Sequence, residues 1–135
     1  MYTYMEMATR KVARGGAGRL GALQQARVEY LAAWQWRRRV EAALRGVELT
    51  FTQWFVLDGV ARAEAMQRDA VSQSDVARAT ELDRMTVSQV MKILVDRDLV
   101  DRGPSASGPT YRIILSRRGA QVLREAEEAI SAAQP

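Results

Sequence analysis

The chain contains no cysteine and no histidine. The first absence removes disulfides, thiolate nucleophiles and zinc ribbons; the second removes imidazole general bases and the commonest metal ligand. Proline is scarce, at 3 among 135 residues, and none interrupts the stretch from Arg19 to Arg45. Long apolar runs are missing as well: no segment approaches the roughly 20 residues that cross a bilayer. The opening Met1-Tyr2-Thr3-Tyr4-Met5-Glu6 lacks the charged-then-apolar order of a secretory signal. A cytoplasmic protein with no membrane partner is expected. No phosphate-cradling glycine loop follows a strand, and no carboxylate pair has a recognisable acid–base spacing; Gly15-Gly16-Ala17-Gly18 precedes a helix but follows no strand. The expectation is a protein that is not an enzyme and carries no cofactor or metal.

What is present is enough apolar material, 47% of the chain, to bury one core, and one domain is the default at this length. The net charge of +4 invites a nucleic-acid reading, because Lys and Arg that neutralise phosphates release condensed counterions. That charge is unevenly placed. Residues 1–46 carry nine basic groups (Arg10, Lys11, Arg14, Arg19, Arg27, Arg37, Arg38, Arg39, Arg45) against Glu6, Glu29 and Glu41, a balance of +6 that leaves −2 for the remainder. Residues 1–18 read as a flexible basic arm, since the glycines at its end are costly to order and bring little to bury. Its Arg10, Lys11 and Arg14 are candidates for phosphate or minor-groove contact, set against the plainer reading of a disordered terminus. Residues 19–135 then form the single domain.

Apolar spacing predicts a long helix from Arg19 to Arg45, with Leu20, Leu23, Tyr30, Leu31 and Trp34 on its stripe and Gly46 as its stop. Thr50 and Gln53 have the spacing of a capping box, opening a helix that buries Trp54, Val56, Leu57 and Val60. Ser72 and Asp75 open a short helix through Val76, Ala77 and Ala79 that ends at Thr80-Glu81. Asp83 caps a third, over residues 84–97, whose Val87, Val90, Met91 and Leu94 follow the period of a core face. Two helices joined by a tight turn make a helix-turn-helix. Leu99–Arg102 and Tyr111–Leu115 read as strands around a loop of turn formers over residues 103–109, and Ser116 caps a last helix through Val122, Leu123, Ala126, Ala129, Ile130 and Ala133.

A helix suits the major groove when one face is anchored and the N-terminal part of the other is short and polar. Opposite Val87, Val90, Met91 and Leu94 lie Met85, Gln89, Lys92 and Asp96, flanked by Thr86 and Ser88. Gln89 can pair bidentately with adenine, Thr86 and Ser88 can bond base or phosphate oxygens, Met85 can touch a thymine methyl, and Lys92 or Arg84 can hold phosphate. Asp96 falls beyond the groove. A solvated amphipathic helix is the competing structural reading; the order of elements around it favours DNA.

Several stretches together resemble the MarR (multiple antibiotic resistance regulator) family, from about Arg19 to the end. They are Leu49-Thr50-x-x-Gln53-Trp54-x-x-Leu57; Val71-Ser72-Gln73-Ser74-Asp75-Val76-Ala77; Leu82-Asp83-Arg84-Met85-Thr86-Val87-Ser88-Gln89-Val90-Met91; Leu99-Val100-Asp101-Arg102; and Leu115-Ser116-x-x-Gly119. The resemblance implies a mainly α fold with a small β-hairpin wing: a winged helix-turn-helix lobe over 49–116, and dimerisation helices over 19–46 and 117–134. It also implies a homodimeric, sequence-specific transcriptional regulator, a repressor in the expected case, on a pseudo-palindromic operator in double-stranded DNA. A small aromatic or anionic effector is implied too, with Tyr30, Trp34, Trp36, Trp54 and Phe55 as candidate walls and Arg38, one turn from Trp34, as candidate partner for an anion. Two departures stand out: Gln89 replaces the arginine usual on the recognition helix, and Ser107-Gly108-Pro109 replaces an Asp-Arg-Arg wing tip. Each lost arginine removes a phosphate or minor-groove partner, leaving Arg102 and Arg112 as the nearest substitutes.

Dimerisation is also a mechanistic expectation, because a winged-helix monomer reads too few base pairs to be selective. Leu20, Leu23 and Leu31, with Val122, Leu123 and Ile130, are candidates for that surface or for the intramolecular core. Two rival functions are a sequence-neutral architectural DNA binder, favoured by the arm and the uncharged wing tip, and a protein-interaction module that kept the scaffold and lost DNA.

Overall fold

Residues 18–67, 70–105 and 108–135 are described by the computed structural model. Arg10, Lys11 and Arg14 of the expected arm, and Ser107 of the wing tip, lie outside them. Helix α1 runs Gly18–Leu44 and is followed by a 3₁₀ turn, Arg45–Val47. Then come α2 (Phe51–Met66), α3 (Gln73–Thr80), α4 (Arg84–Asp96), the antiparallel hairpin β1 (Val100–Ser105) and β2 (Gly108–Leu115), and α5 (Arg117–Ala132). None of the helices among the described residues is long and apolar enough to cross a membrane.

The chain divides into two units, Met1–Arg39 and Val40–Pro135. The described part of the first is helical throughout. Its expected stripe is not a core: Leu20, Leu23, Tyr30, Leu31 and Trp34 are all at least half exposed or nearly so, Leu20 at 76%. On α1 only Val40 and Leu44 are buried, and both belong to the second unit.

That second unit is built on caps that the sequence spells out. Thr50 Oγ1 accepts from the Gln53 N–H while Gln53 Oε1 accepts from the Thr50 N–H. Ser72 and Asp75 make the same reciprocal pair at the start of α3, and Asp83 and Ser116 accept from the N–H three residues on at α4 and α5. Each satisfies amides that the first helical turn leaves without a partner. The core fills with Val56, Leu57 and Val60 of α2, Val76 of α3, Val87, Met91 and Leu94 of α4, Leu99, Val100 and Ile113 around the hairpin, and Leu123 and Ala126 of α5.

Three details differ from the sequence expectation. Gly46 does not end α1; the chain tightens into the 3₁₀ turn and reverses at Glu48, whose φ is 58°. Glu81 (φ 57°) and Asp98 (φ 60°) hold the same left-handed conformation at the helix-turn-helix corner and between α4 and β1. No glycine marks any of the three, so the sequence carries no signal for them, and each costs about 1 kcal/mol that surrounding packing offsets. The strands are longer than expected: Gly103, Pro104 and Ser105 continue β1 and Gly108 opens β2. Pro104 is tolerated because β1 is an edge strand, where a missing N–H breaks no ladder, and the register shifts beside it. Finally, Val71 bridges to Ile113, whose N–H donates to the Val71 carbonyl at 2.8 Å, tying β2 to the segment ahead of α3.

Candidate nucleic-acid interface

Helix α4 presents two faces of opposite character. Val87, Val90, Met91 and Leu94 are buried, whereas Arg84, Met85, Gln89 and Lys92 are exposed, Met85 at 71%, with Thr86 and Ser88 half-buried beside them. The anchored face fixes the orientation of the free one. Asp83 sets the start of the helix: Oδ1 accepts from the Thr86 N–H at 2.8 Å and Oδ2 accepts from the Thr86 hydroxyl at 2.7 Å. Thr86 thus offers a partner only its acceptor lone pairs, having committed its proton to the cap. Ile93, 41% exposed, extends the free face with an apolar patch that the sequence reading did not single out.

The α3 N-terminus is held by a denser network. Asp75 Oδ2 accepts from the Ser72 N–H at 2.8 Å, the Ser72 hydroxyl at 2.9 Å and Gln67 Nε2 at 3.2 Å, and Arg78 pairs with Oδ1. Burial acts to raise the Asp75 carboxyl, but these donors outweigh it and leave the group below its ordinary value of 3.8. Asp83 is also held below 3.8, first by the Thr86 N–H and then by the Thr86 hydroxyl. Both folded values lie under the unfolded ones, so their contribution to stability is complete above about pH 4 and disappears as pH falls through the folded values. Asp83→Asn keeps a neutral cap that does not titrate in this range. Its urea midpoint is expected to fall less steeply than the parent's below pH 4; parallel curves would show that Asp83 contributes nothing to acid unfolding.

The hairpin sends its two arginines in opposite directions. Arg102 faces Ile113 across the ladder and shares its face, and Arg112 pairs with Gly103 on the other. Arg112 is exposed and lines a cavity of about 320 Å³ with Glu64, Gln67, Ala70, Val71, Ile113 and Ile114. Arg102 is half-buried; its Nη2 donates to Gln73 Oε1 at 3.2 Å, its guanidinium lies 5.7 Å from the centre of the Tyr111 ring, and its Nε is buried without a partner. Gln73, Tyr111 and Glu64, whose Oε1 accepts from the Leu115 N–H at 2.7 Å, had no sequence signal, because each acts through a neighbour distant along the chain.

Of the proposed effector residues, Tyr30, Trp34 and Arg38 recur at four-residue intervals along one face of α1 in the first unit, all exposed. Trp54 lies in the second unit, half-buried against its core, edge-on to Phe51 at 5.6 Å and 6.1 Å from Phe55, with its Nε1 buried and unpartnered.

A pair of helices meeting at a tight turn, continued by a hairpin and closed by a further helix, is a winged helix-turn-helix. Residues 47–108 match the model of the MarR family, and the lobe they build has the winged-helix fold. Solved structures share the fold. A MarR-family transcriptional regulator from Rhodococcus sp. RHA1 superposes with a TM-score of 0.67 at 22% identity, over 89% of this chain and 79% of that one. CouR from Rhodococcus jostii RHA1, bound to p-coumaroyl-CoA, gives 0.66 at 23%, over 89% and 78%. A mutant of MarR from E. coli complexed with operator DNA gives 0.68 at 16%, over 78% and 72%. Among the curated proteins no relative of this chain is found. MarR-family proteins are transcription regulators rather than enzymes.

Proposed function

We propose that the protein is a cytoplasmic homodimeric transcriptional repressor that reads a pseudo-palindromic operator, each protomer placing α4 in the major groove with its wing alongside. The observation that carries this is the free face of α4: Arg84, Met85, Gln89 and Lys92 stand exposed on a helix whose other side is locked into the core. Arg84 and Lys92 are assigned to phosphate, Gln89 to a base edge, Met85 to an apolar base contact, Ser88 to a phosphate oxygen or a base edge, and Thr86, as an acceptor, to a donor on a base edge. Arg112, exposed on the wing, is assigned to phosphate. The operator complex of the E. coli MarR mutant, which shares the fold, supports the reading. Dimerisation is supported by the exposed apolar stripe of α1, since stripes of this size on soluble proteins are ordinarily covered. Release by a small aromatic or anionic effector is supported by the p-coumaroyl-CoA complex of CouR, which shares the fold; Tyr30, Trp34 and Arg38, together on one face of α1, are the groups proposed to meet it.

In vitro selection from random duplexes at near-physiological salt, with Gln89→Ala in parallel, tests the central claim. Enrichment of an inverted repeat that Gln89→Ala relaxes at one position per half-site, at a cost of about 1–3 kcal/mol, is the expected result. DNA retained without any enriched motif would make the protein an architectural binder. No DNA retained would leave a protein-interaction module.

A further inference from the structure

The wing is a two-stranded hairpin, an element too small to hold its own geometry. Its base is secured: Val100 and Ile113 are buried, Ile113 bridges to Val71, and the Leu115 N–H is fixed by Glu64. Toward the tip, Pro104 and Tyr111 are exposed, and among the described residues the hydrogen bond that ties this part of the hairpin to α3 is the one from Arg102 to Gln73. Gln73 is the first residue of α3, directly after the Ser72 cap.

We propose that Arg102 is a positioning residue for DNA reading: clasped between Gln73 and the Tyr111 ring, it sets the angle of the wing against the helix-turn-helix and makes no phosphate contact of its own. Three features support this role. The Nε is buried, which puts one edge of the guanidinium out of reach of a phosphate. One terminal nitrogen is committed to the Gln73 side-chain oxygen, and the planar group lies over Tyr111, its diagonal neighbour on the same sheet face. Among the described residues no carboxylate pairs with it, so the bond to Gln73 is where its charge-assisted donation goes. A lysine could supply the charge but neither the fork nor the stacking plane.

The inference rests on the DNA-binding reading, and the uncharged partner Gln73 makes it separable. Binding to the selected duplex is measured by fluorescence anisotropy over a salt series for the parent, Arg102→Ala, Gln73→Ala and the double variant, with folding checked by circular dichroism. Gln73 removes no charge, so its loss reports geometry alone. Both single variants are expected to weaken specific binding by about tenfold, with the double variant little worse than either. For Gln73→Ala the slope of affinity against salt stays that of the parent. If Gln73→Ala binds as the parent does, while Arg102→Ala lowers the slope by about one phosphate, Arg102 is an ordinary backbone contact and the proposal fails. Should the parent retain no DNA, the functional reading fails by itself. The clasp is then read from urea unfolding, where sub-additive shifts of the two midpoints support it and additive shifts overturn it.

Discussion

Gly119→Ala is expected to destabilise the second unit by about 3 kcal/mol, the upper range for forcing atoms into a packed site. A Cβ at this position would overlap the Leu99 carbonyl oxygen, a backbone atom with little room to yield. Leu99 is buried; its N–H donates to the Leu94 carbonyl at 2.9 Å and its oxygen accepts from the Ser116 N–H at 3.1 Å. The Ser116 hydroxyl meanwhile donates to the neighbouring Asp98 carbonyl at 2.6 Å while accepting from the Gly119 N–H. The start of α5 is therefore pressed against the link between α4 and the wing, and only a residue without a side chain permits that approach. Denaturant unfolding followed by circular dichroism measures the effect, with Gly103→Ala as control, since nothing lies within 4 Å of a Cβ built there. A control shift within about 0.5 kcal/mol and a large shift at Gly119 are expected; equal shifts would mean that the close approach is not what requires glycine.

Replacing Leu20, Leu23 and Leu31 together by serine is expected to yield a 15.1 kDa monomer that remains helical and binds the selected operator about a thousandfold more weakly, because two half-sites can no longer be engaged at once. The three side chains are 76%, 50% and 54% exposed, so their loss leaves no cavity in the protomer; it removes only what a second copy would cover. Sedimentation velocity at micromolar concentration reads the first effect and anisotropy the second. A variant that still sediments as a dimer would move the interface elsewhere, and a parent that is monomeric would remove the dimer from the proposed function.

Local chemistry made much of this protein readable in advance. The caps at Thr50, Ser72, Asp83 and Ser116 lie three residues from their partners, and such short-range hydrogen bonds depend on little else. The buried face of α4 followed from its 3.6-residue period, and the free face that carries the DNA-reading candidates followed by subtraction. The pattern around Gly119 was visible as a motif, though not the reason for it.

Other features needed the chain to be folded. The helical period predicts the stripe of Leu20, Leu23 and Leu31 but does not say that it stays exposed while Val40 and Leu44 further along are buried; this depends on which segment has something to pack against. Arg102 and Arg112 lie ten residues apart on the two paired strands of the wing, yet one turns in to Gln73 and the other faces out. Strand register decides between them, because a shift of one residue exchanges the two faces of a sheet. The sequence by itself determined the helices, their caps and the two faces of α4, since each is settled within a few residues of chain. Only the tertiary structure decided which arginine braces the wing and why residue 119 must be glycine, since those depend on atoms that folding brings together from distant parts of the chain.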